Sequence, residues 1–215
     1  MTVGCAEPVD WGAAVAPGPA DAAETTMLLL DDLKALRLQE QAERSPHLSF
    51  TLPNVPALLE QIRVTRFPTI SDRLEVFFID GSFVACIYHS SHSPLSGGTI
   101  FLHDILNRPE VSPAVFEYIL THELIHLIVR GREIDGKMTT HPPEFWEMER
   151  ELVPNRDVAF SWLWLSFSRV LKRDKEHEGI RVKRRWKRAP ELIHVWSWGE
   201  FQGKFDRLDA REGTF

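Results

Sequence analysis

The chain has 215 residues, 43% of them hydrophobic and 26% charged, which is an ordinary composition for a soluble globular protein. This length is enough to bury a sizeable core, and it fits one domain with additions better than two full domains. The formal net charge is −6, yet residues 169–188 carry 10 Lys and Arg against 3 Asp and Glu. A basic segment on an acidic protein is one signature of a site for an anionic partner.

Two cysteines, Cys5 and Cys86, are too few for a disulfide framework or a thiolate zinc site, so a reducing compartment is expected. The N-terminus has no basic segment followed by an apolar one, and it therefore does not resemble a signal peptide. The most apolar later segment, Val158 to Leu171, is too short and too often interrupted by serine to span a bilayer. We therefore expect a cytoplasmic protein without a membrane partner.

The first part of the chain is rich in Ala, Pro and Gly, and residues 1–23 are predicted to be disordered. Thr25 or Thr26 can then cap an amphipathic helix that runs to about Arg44. Two further elements are predicted before Pro68: a short strand, Leu48 to Leu52, and a helix, Val55 to Thr65.

Three strand-like segments come next, and two of them flank a turn signal. Asp80-Gly81-Ser82 is typical of a hairpin turn, so we predict that Leu74 to Ile79 and Phe83 to Tyr88 pair with each other. The third strand, Thr99 to His103, directly precedes a helix. We expect a small antiparallel sheet, with Thr99–His103 as the candidate edge that holds an extended substrate by strand addition.

The helix after these strands contains His122-Glu123-Leu124-Ile125-His126, an H-E-x-x-H motif. Ser112 is a suitable N-cap and Pro113 a suitable first residue, while Gly131 after Arg130 favours a helix end there. These signals predict a helix of about 18 residues. Its spacing places the two histidines of the motif one turn apart on the same face.

Outside the motif this helix is apolar on nearly all sides, and we therefore expect it to be buried. Two buried imidazoles and a carboxylate are costly unless something satisfies them. A divalent metal would do so, with His122 and His126 as zinc ligands and Glu123 placed to take a proton from a nearby water. The alternative is a hydrogen-bond network of the same three side chains without a metal.

A hydrolytic zinc site needs a third protein ligand and an open position. We prefer His141, because it lies in a polar loop that turns back just before the next predicted helix, Glu144 to Leu152. Three glutamates on that helix are the alternatives: Glu144, Glu147 and Glu151.

Two paired motifs in this region resemble those of a known family. Tyr118-x-x-x-His-Glu-Leu-x-His126 and His141-Pro-x-x-Phe-Trp146 are similar to the YxxxHELxH helix and the HxxxFW element of the SprT-like and WLM (YgjP-like) zinc metallopeptidases. The resemblance covers roughly residues 74–153. It implies a zincin-like fold with His122, His126 and His141 as zinc ligands and Glu123 as the catalytic acid/base. Phe145 and Trp146 are expected to pack the His141 loop against the helix, and Tyr118 to be a buried structural residue with a role beside the metal as the alternative.

Beyond these motifs, Asp157 is predicted to cap a last helix, and a strand-like run, Leu192 to Trp198, precedes a polar tail. The basic segment Arg181–Arg188 lies between them and contains Trp186. It could bind nucleic acid through phosphate contacts and stacking. The alternative is a solvated charged face that neutralises the acidic remainder of the protein.

Together these features predict an α+β protein with a disordered N-terminus (1–23), a zincin-like metallopeptidase domain (24–176) and a basic C-terminal extension (177–215). The favoured function is hydrolysis of a protein or peptide by water that zinc activates, with Glu123 as general acid/base. Two alternatives remain. The same site could hydrolyse a non-peptide substrate such as a phosphoanhydride, or the protein could be a non-enzymatic, zinc-stabilised nucleic-acid-binding module. A metal site with four protein ligands would favour the binding module.

Overall fold

The computed structural model describes residue 37 and residues 54–89, 93–174, 179–188 and 193–212. The predicted disordered segment, the strand Leu48–Leu52 and the helix over 25–44 lie outside these ranges, except for Arg37, which is helical. Within them, no helix is long and apolar enough to cross a membrane. In chain order the elements are α1 (Val55–Arg66), β1 (Leu74–Ile79), β2 (Ala85–Tyr88), β3 (Gly98–His103), α2 (Pro113–Ile125), β4 (Arg132–Ile134), β5 (Lys137–Thr139), α3 (Pro143–Leu152), α4 (Arg156–Phe167), β6 (Leu171–Asp174), β7 (Gly179–Val182) and α5 (Trp198–Glu212).

The protein has an α+β fold in which the first three strands form a mixed sheet of order β1-β3-β2. Strand β3 is parallel to β1 and antiparallel to β2. The predicted hairpin between β1 and β2 is therefore wrong, and β3 is the central strand rather than an edge. Its residues Ile100, Phe101 and Leu102 are at most 1% exposed. β3 is the most buried of the three strands, because the central position covers both of its edges as well as both of its faces.

After residues 80–82 the chain crosses the sheet to the far side of β3, instead of turning back to pair with β1. In this connection Phe83 forms a bridge with Arg181, and the Val84 N–H donates to the Ile180 carbonyl at 3.2 Å. Strand β7 thus covers the beginning of the β2 edge. Over Ala85–Tyr88, strand β2 pairs with β3 alone among the described strands.

Helix α2 lies against one face of the sheet and forms the centre of the main core with α1, α3 and α4. Ser112 caps it as predicted, because its Oγ accepts the Ala114 N–H at 3.3 Å, and Pro113 is its first residue. The helix ends at Ile125, about one turn earlier than predicted. The chain continues in a tighter turn in which the Ile128 N–H donates to the Ile125 carbonyl at 2.9 Å, a pattern common at helix ends. His126 keeps helical angles (φ −60°, ψ −23°) and so stays one turn from His122.

The segment after α2 is a β-hairpin, β4–β5, where the sequence had predicted a polar loop. Its turn has two residues with positive φ, Asp135 at 52° and Gly136 at 76°. Asp-Gly is a preferred sequence for such a turn, so the signal was present. At the hairpin base, a Cβ on Gly131 would lie 2.9 Å from the Thr139 carbonyl oxygen, and glycine therefore lets the chain leave α2 directly against β5.

Helix α3 begins one residue before the predicted Glu144 and ends at Leu152 as predicted, whereas the elements after it differ from the prediction. Helix α4 begins at Arg156, so Asp157 lies in its first turn and is not the cap. The strand-like run has no regular structure over residues 193–197, and Trp198 already begins α5. The reason is that side chains of α4 bind this backbone: Trp162 Nε1–H donates to the Trp196 carbonyl at 2.9 Å.

The C-terminal part of the chain shares the core of the preceding residues. Strands β6 and β7 pair with each other across the predicted domain boundary at 176/177. Val182 and Phe201 are 3% and 5% exposed and belong to the main core. The division of the chain into domains itself stays a prediction.

Candidate metal centre

Three histidines come together at the end of α2. The ligand nitrogens of His122, His126 and His141 all lie within 4.8 Å of one another, and this is the one such group found among the described residues. The Nε2 atoms of His122 and His141 are 3.2 Å apart. Two nitrogens on a tetrahedral zinc at about 2.05 Å are separated by roughly 3.4 Å, so this spacing fits a metal site. The three residues can hold a metal ion.

The three glutamates that were alternatives to His141 as the third metal ligand lie outside the group of histidines. Glu144 pairs with Arg132 at 2.9 Å, and both side chains are about half exposed. Glu147 and Glu151 also remain outside the group of possible ligands. His141 takes the third position because the β4–β5 hairpin, which the sequence reading missed, returns the chain to the end of α2.

His141 is 8% exposed and is held from two sides. The hydroxyl oxygen of Thr140 lies 3.1 Å from its Nδ1, which leaves Nε2 directed at His122. The Trp146 ring lies over the His141 ring with centroids 5.1 Å apart and planes inclined by 33°. Phe145 is fully buried and its ring lies 4.7–4.9 Å from all three imidazoles. Phe145 and Trp146 therefore pack the His141 segment against α2, as predicted.

Glu149 is the residue of this site that the sequence reading missed. It is fully buried, and its Oε1 accepts a hydrogen bond from His122 Nδ1 at 2.6 Å. This bond selects the tautomer that leaves His122 Nε2 as a ligand atom, which is the usual role of a carboxylate behind a metal-binding histidine. The other oxygen, Oε2, lies 2.8 Å from Arg156 Nε. The available signal was helical spacing, since Glu149 follows the buried Phe145 by four residues on α3.

Glu123 lies beside the histidines and outside their group. It is 5% exposed, and burial raises the pKa of its carboxyl group to about 7, against the lowering effects of His122 and of the Ile87 N–H bond. Ile87 belongs to β2, so the carboxylate is held between the motif helix and the edge strand. A carboxyl group with a pKa near neutrality can both accept and release a proton.

The surroundings of His126 keep its imidazole in the neutral form. Burial, together with the neighbouring His122, His141 and His89, lowers the pKa of His126 to about 2. The neutral imidazole is the form that ligates metals. The effect of His89 also indicates that the end of β2 lies close to the metal group.

Tyr118 precedes His122 by one turn and is 7% exposed. Its ring meets the His122 ring edge-on, with centroids 6.2 Å apart. Burial raises the pKa of Tyr118, and the charge of Glu149 adds to this effect, so the hydroxyl stays protonated. Tyr118 is therefore buried as predicted, while its structural role and the alternative role beside the metal both stay predictions.

The basic segment contacts the opposite end of the sheet. Trp186 Nε1–H donates to Asp80 Oδ1 at 2.8 Å, and Lys187 Nζ lies 2.8 Å from Asp80 Oδ2. The Trp186 ring also packs edge-on against buried His103, with centroids 5.2 Å apart. Trp186 therefore attaches the segment to the β1–β2 connection, which favours a structural role for this ring over base stacking. Arg184, Arg185 and Arg188 are exposed.

Comparisons of the chain with protein-family models, with curated proteins and with solved structures found no match. The relation to the SprT-like and WLM metallopeptidases accordingly stays a prediction that rests on the two motifs.

Proposed function

We propose that the protein is a zinc-dependent metallopeptidase of the SprT-like and WLM type with a zincin-like fold. The observation that carries this proposal is the position of Glu123. It shares a helix with two histidines of the metal group, remains outside that group, and contacts the edge strand β2. Three imidazole donors with a neighbouring carboxylate that is not a ligand are the donor set of catalytic zinc sites with an open position. The absence of a fourth ligand from the described residues supports an enzyme over a zinc-stabilised binding module.

The chemistry divides between the metal and the chain. Zinc bound by three histidines lowers the pKa of water and polarises a substrate carbonyl. Glu123 accepts the proton of the attacking water and passes it to the leaving amine, so that the carboxylate is regenerated in each turnover. The Ile87 N–H lies beside the Glu123 carboxylate and favours its charged form, which is the form that accepts the proton. Glu149 fixes the orientation of the His122 ring.

Strand β2, rather than β3, is the edge that we propose for substrate binding. Over residues 85–87 it has β3 as its partner on one side, and on the other side the Ile87 N–H lies beside the Glu123 carboxylate. An extended peptide that adds to this edge would pass directly in front of the metal group. An edge strand beside the metal group suits an extended peptide, and we therefore favour peptide hydrolysis over hydrolysis of a phosphoanhydride.

Substitution of Glu123 by Gln tests the proposal. The amide has nearly the same size, so the variant is expected to fold, to retain about one zinc per chain, and to bind peptides as the wild type does. Its turnover of a peptide library, followed by mass spectrometry, should fall by about 10²–10⁴-fold. Glu117→Gln is the matched control, since Glu117 lies on the same helix and pairs with Arg66 away from the metal group. Equal turnover by wild type and Glu123→Gln would refute the assigned role.

A further inference from the structure

A cleft of about 490 Å³ borders the metal group on the side of His141. It lies between the β4–β5 hairpin and helix α3, and the His141 ring forms part of its wall. None of the steps proposed above uses it. Its size lies within the range of small-ligand sites, and it is large enough for a bulky side chain with room for water.

The hairpin supplies one wall of this cleft. Ile134 and Lys137 are directly paired across the hairpin, so their side chains point to the same face, and both line the cleft with Thr139. Met138 points to the opposite face and is 64% exposed. The hairpin therefore presents one branched aliphatic side chain and one cation to the cleft.

Helix α3 supplies the other wall through Pro143, Trp146, Glu147 and Arg150. Their spacing of three, four and seven residues places them on one helix face. Trp146 offers the largest apolar surface, and Arg150 is held at the rim because its Nε–H donates to the Trp146 carbonyl at 3.2 Å. The floor is thus apolar, while the rim carries two cations, Lys137 and Arg150, and one carboxylate.

We propose that this cleft binds the side chain of a substrate residue next to the scissile bond and selects a large apolar side chain, aromatic or long aliphatic. The inference rests on the proposed peptidase function. His141 belongs both to the metal group and to the cleft wall, so a residue within one or two positions of the cleaved bond reaches it. A large apolar side chain gains contact with Trp146 and Ile134 on leaving water. Lysine and arginine are disfavoured because the rim carries more positive than negative charge.

Ile134 provides the test, since it lines the cleft and is not one of the metal ligands, whereas Trp146 packs on His141. Zinc-loaded wild type, Ile134→Glu and the control Met138→Glu are each given a peptide library, and the residues around every cleaved bond are read by mass spectrometry. Ile134→Glu should lower kcat/KM for peptides with a large apolar residue at least about tenfold relative to the matching alanine peptides. It should also raise the relative cleavage of lysine peptides, which simple damage to the fold would not do. Met138→Glu should keep the wild-type preference.

A second measurement separates binding from turnover. In the Glu123→Gln background, fluorescein-labelled peptides that carry Leu or Ala at the selected position are titrated by fluorescence anisotropy. The Leu peptide should bind more tightly, and Ile134→Glu should remove the difference. Wild-type cleavage without side-chain preference, or the same preference in Ile134→Glu and Met138→Glu, would overturn this inference and leave the peptidase proposal intact. If the wild type cleaved no peptide and Glu123→Gln bound none, the peptidase proposal would be refuted and this inference with it.

Discussion

The buried carboxylate of Glu149 allows the sharpest test of the metal centre, because it contacts a proposed ligand without being one. It accepts from His122 Nδ1 at 2.6 Å and lies 2.8 Å from Arg156 Nε, with no exposed side-chain surface of its own. Glu149→Gln keeps the size of this side chain and an acceptor oxygen, but it removes the negative charge that both partners share. The variant therefore changes the support of the His122 ring without removing any nitrogen from the metal group.

Two losses are expected, and they are of different size. Changing the partner behind a metal-binding histidine typically weakens metal binding by about 10–100-fold, or roughly 1.4–2.7 kcal/mol. Breaking a fully buried ion pair costs about 3–5 kcal/mol of stability. Arg156 is 23% exposed and also lies over the Trp146 ring at 5.5 Å, so we expect a smaller loss of about 1–3 kcal/mol.

Zinc affinity is measured by competition with a chromogenic chelator, and unfolding free energy by urea titration of the zinc-free protein. Glu144→Gln is the control on the same helix, since its exposed pair with Arg132 is worth at most about 1 kcal/mol and lies outside the metal group. His126→Ala should abolish zinc binding and sets the lower limit of the assay. Wild-type zinc affinity in Glu149→Gln would contradict the reasoning, because the negative charge of Glu149 behind His122 would then contribute nothing to the site.

Two other predictions concern the opposite end of the sheet. Burial lowers the pKa of His103 to about 4, so the folded protein keeps it neutral while the unfolded chain takes up a proton below its ordinary pKa of 6.5. Stability should therefore fall as the pH falls from about 6.5 towards 4, with a contribution of at most about 1.4 kcal/mol per pH unit from this group. Urea unfolding of His103→Gln should show a shallower pH dependence over that interval, and an unchanged slope would exclude His103 as its source. For the basic segment, reversing the charges of Arg184, Arg185 and Arg188 should abolish any nucleic-acid binding and leave zinc content unchanged. Binding that does not weaken with salt, or no binding at low ionic strength, would favour the solvated charged face.

Local signals were sufficient where neighbouring residues determine the structure. Ser112 and Pro113 begin α2 as predicted, because capping involves only the first turn of a helix. The H-E-x-x-H spacing placed His122 and His126 together for the same reason. The same kind of signal failed at residues 80–82, where the turn sequence is present and yet β1 and β2 do not pair. A turn sequence permits a hairpin, but the strand order is decided by tertiary packing, which places β3 between β1 and β2.

The candidate site therefore divides between two levels of structure. The sequence by itself determined the motif helix, the proximity of two histidines and the exclusion of Glu123 from their face, because helical periodicity relates residues within one turn. Only the tertiary structure decided that His141 completes the group, that Glu149 supports His122 from behind, and that β2 is the edge beside Glu123. Each of these three contacts joins segments that are distant along the chain. Their formation depends on burial and strand order, which no local pattern of residues specifies.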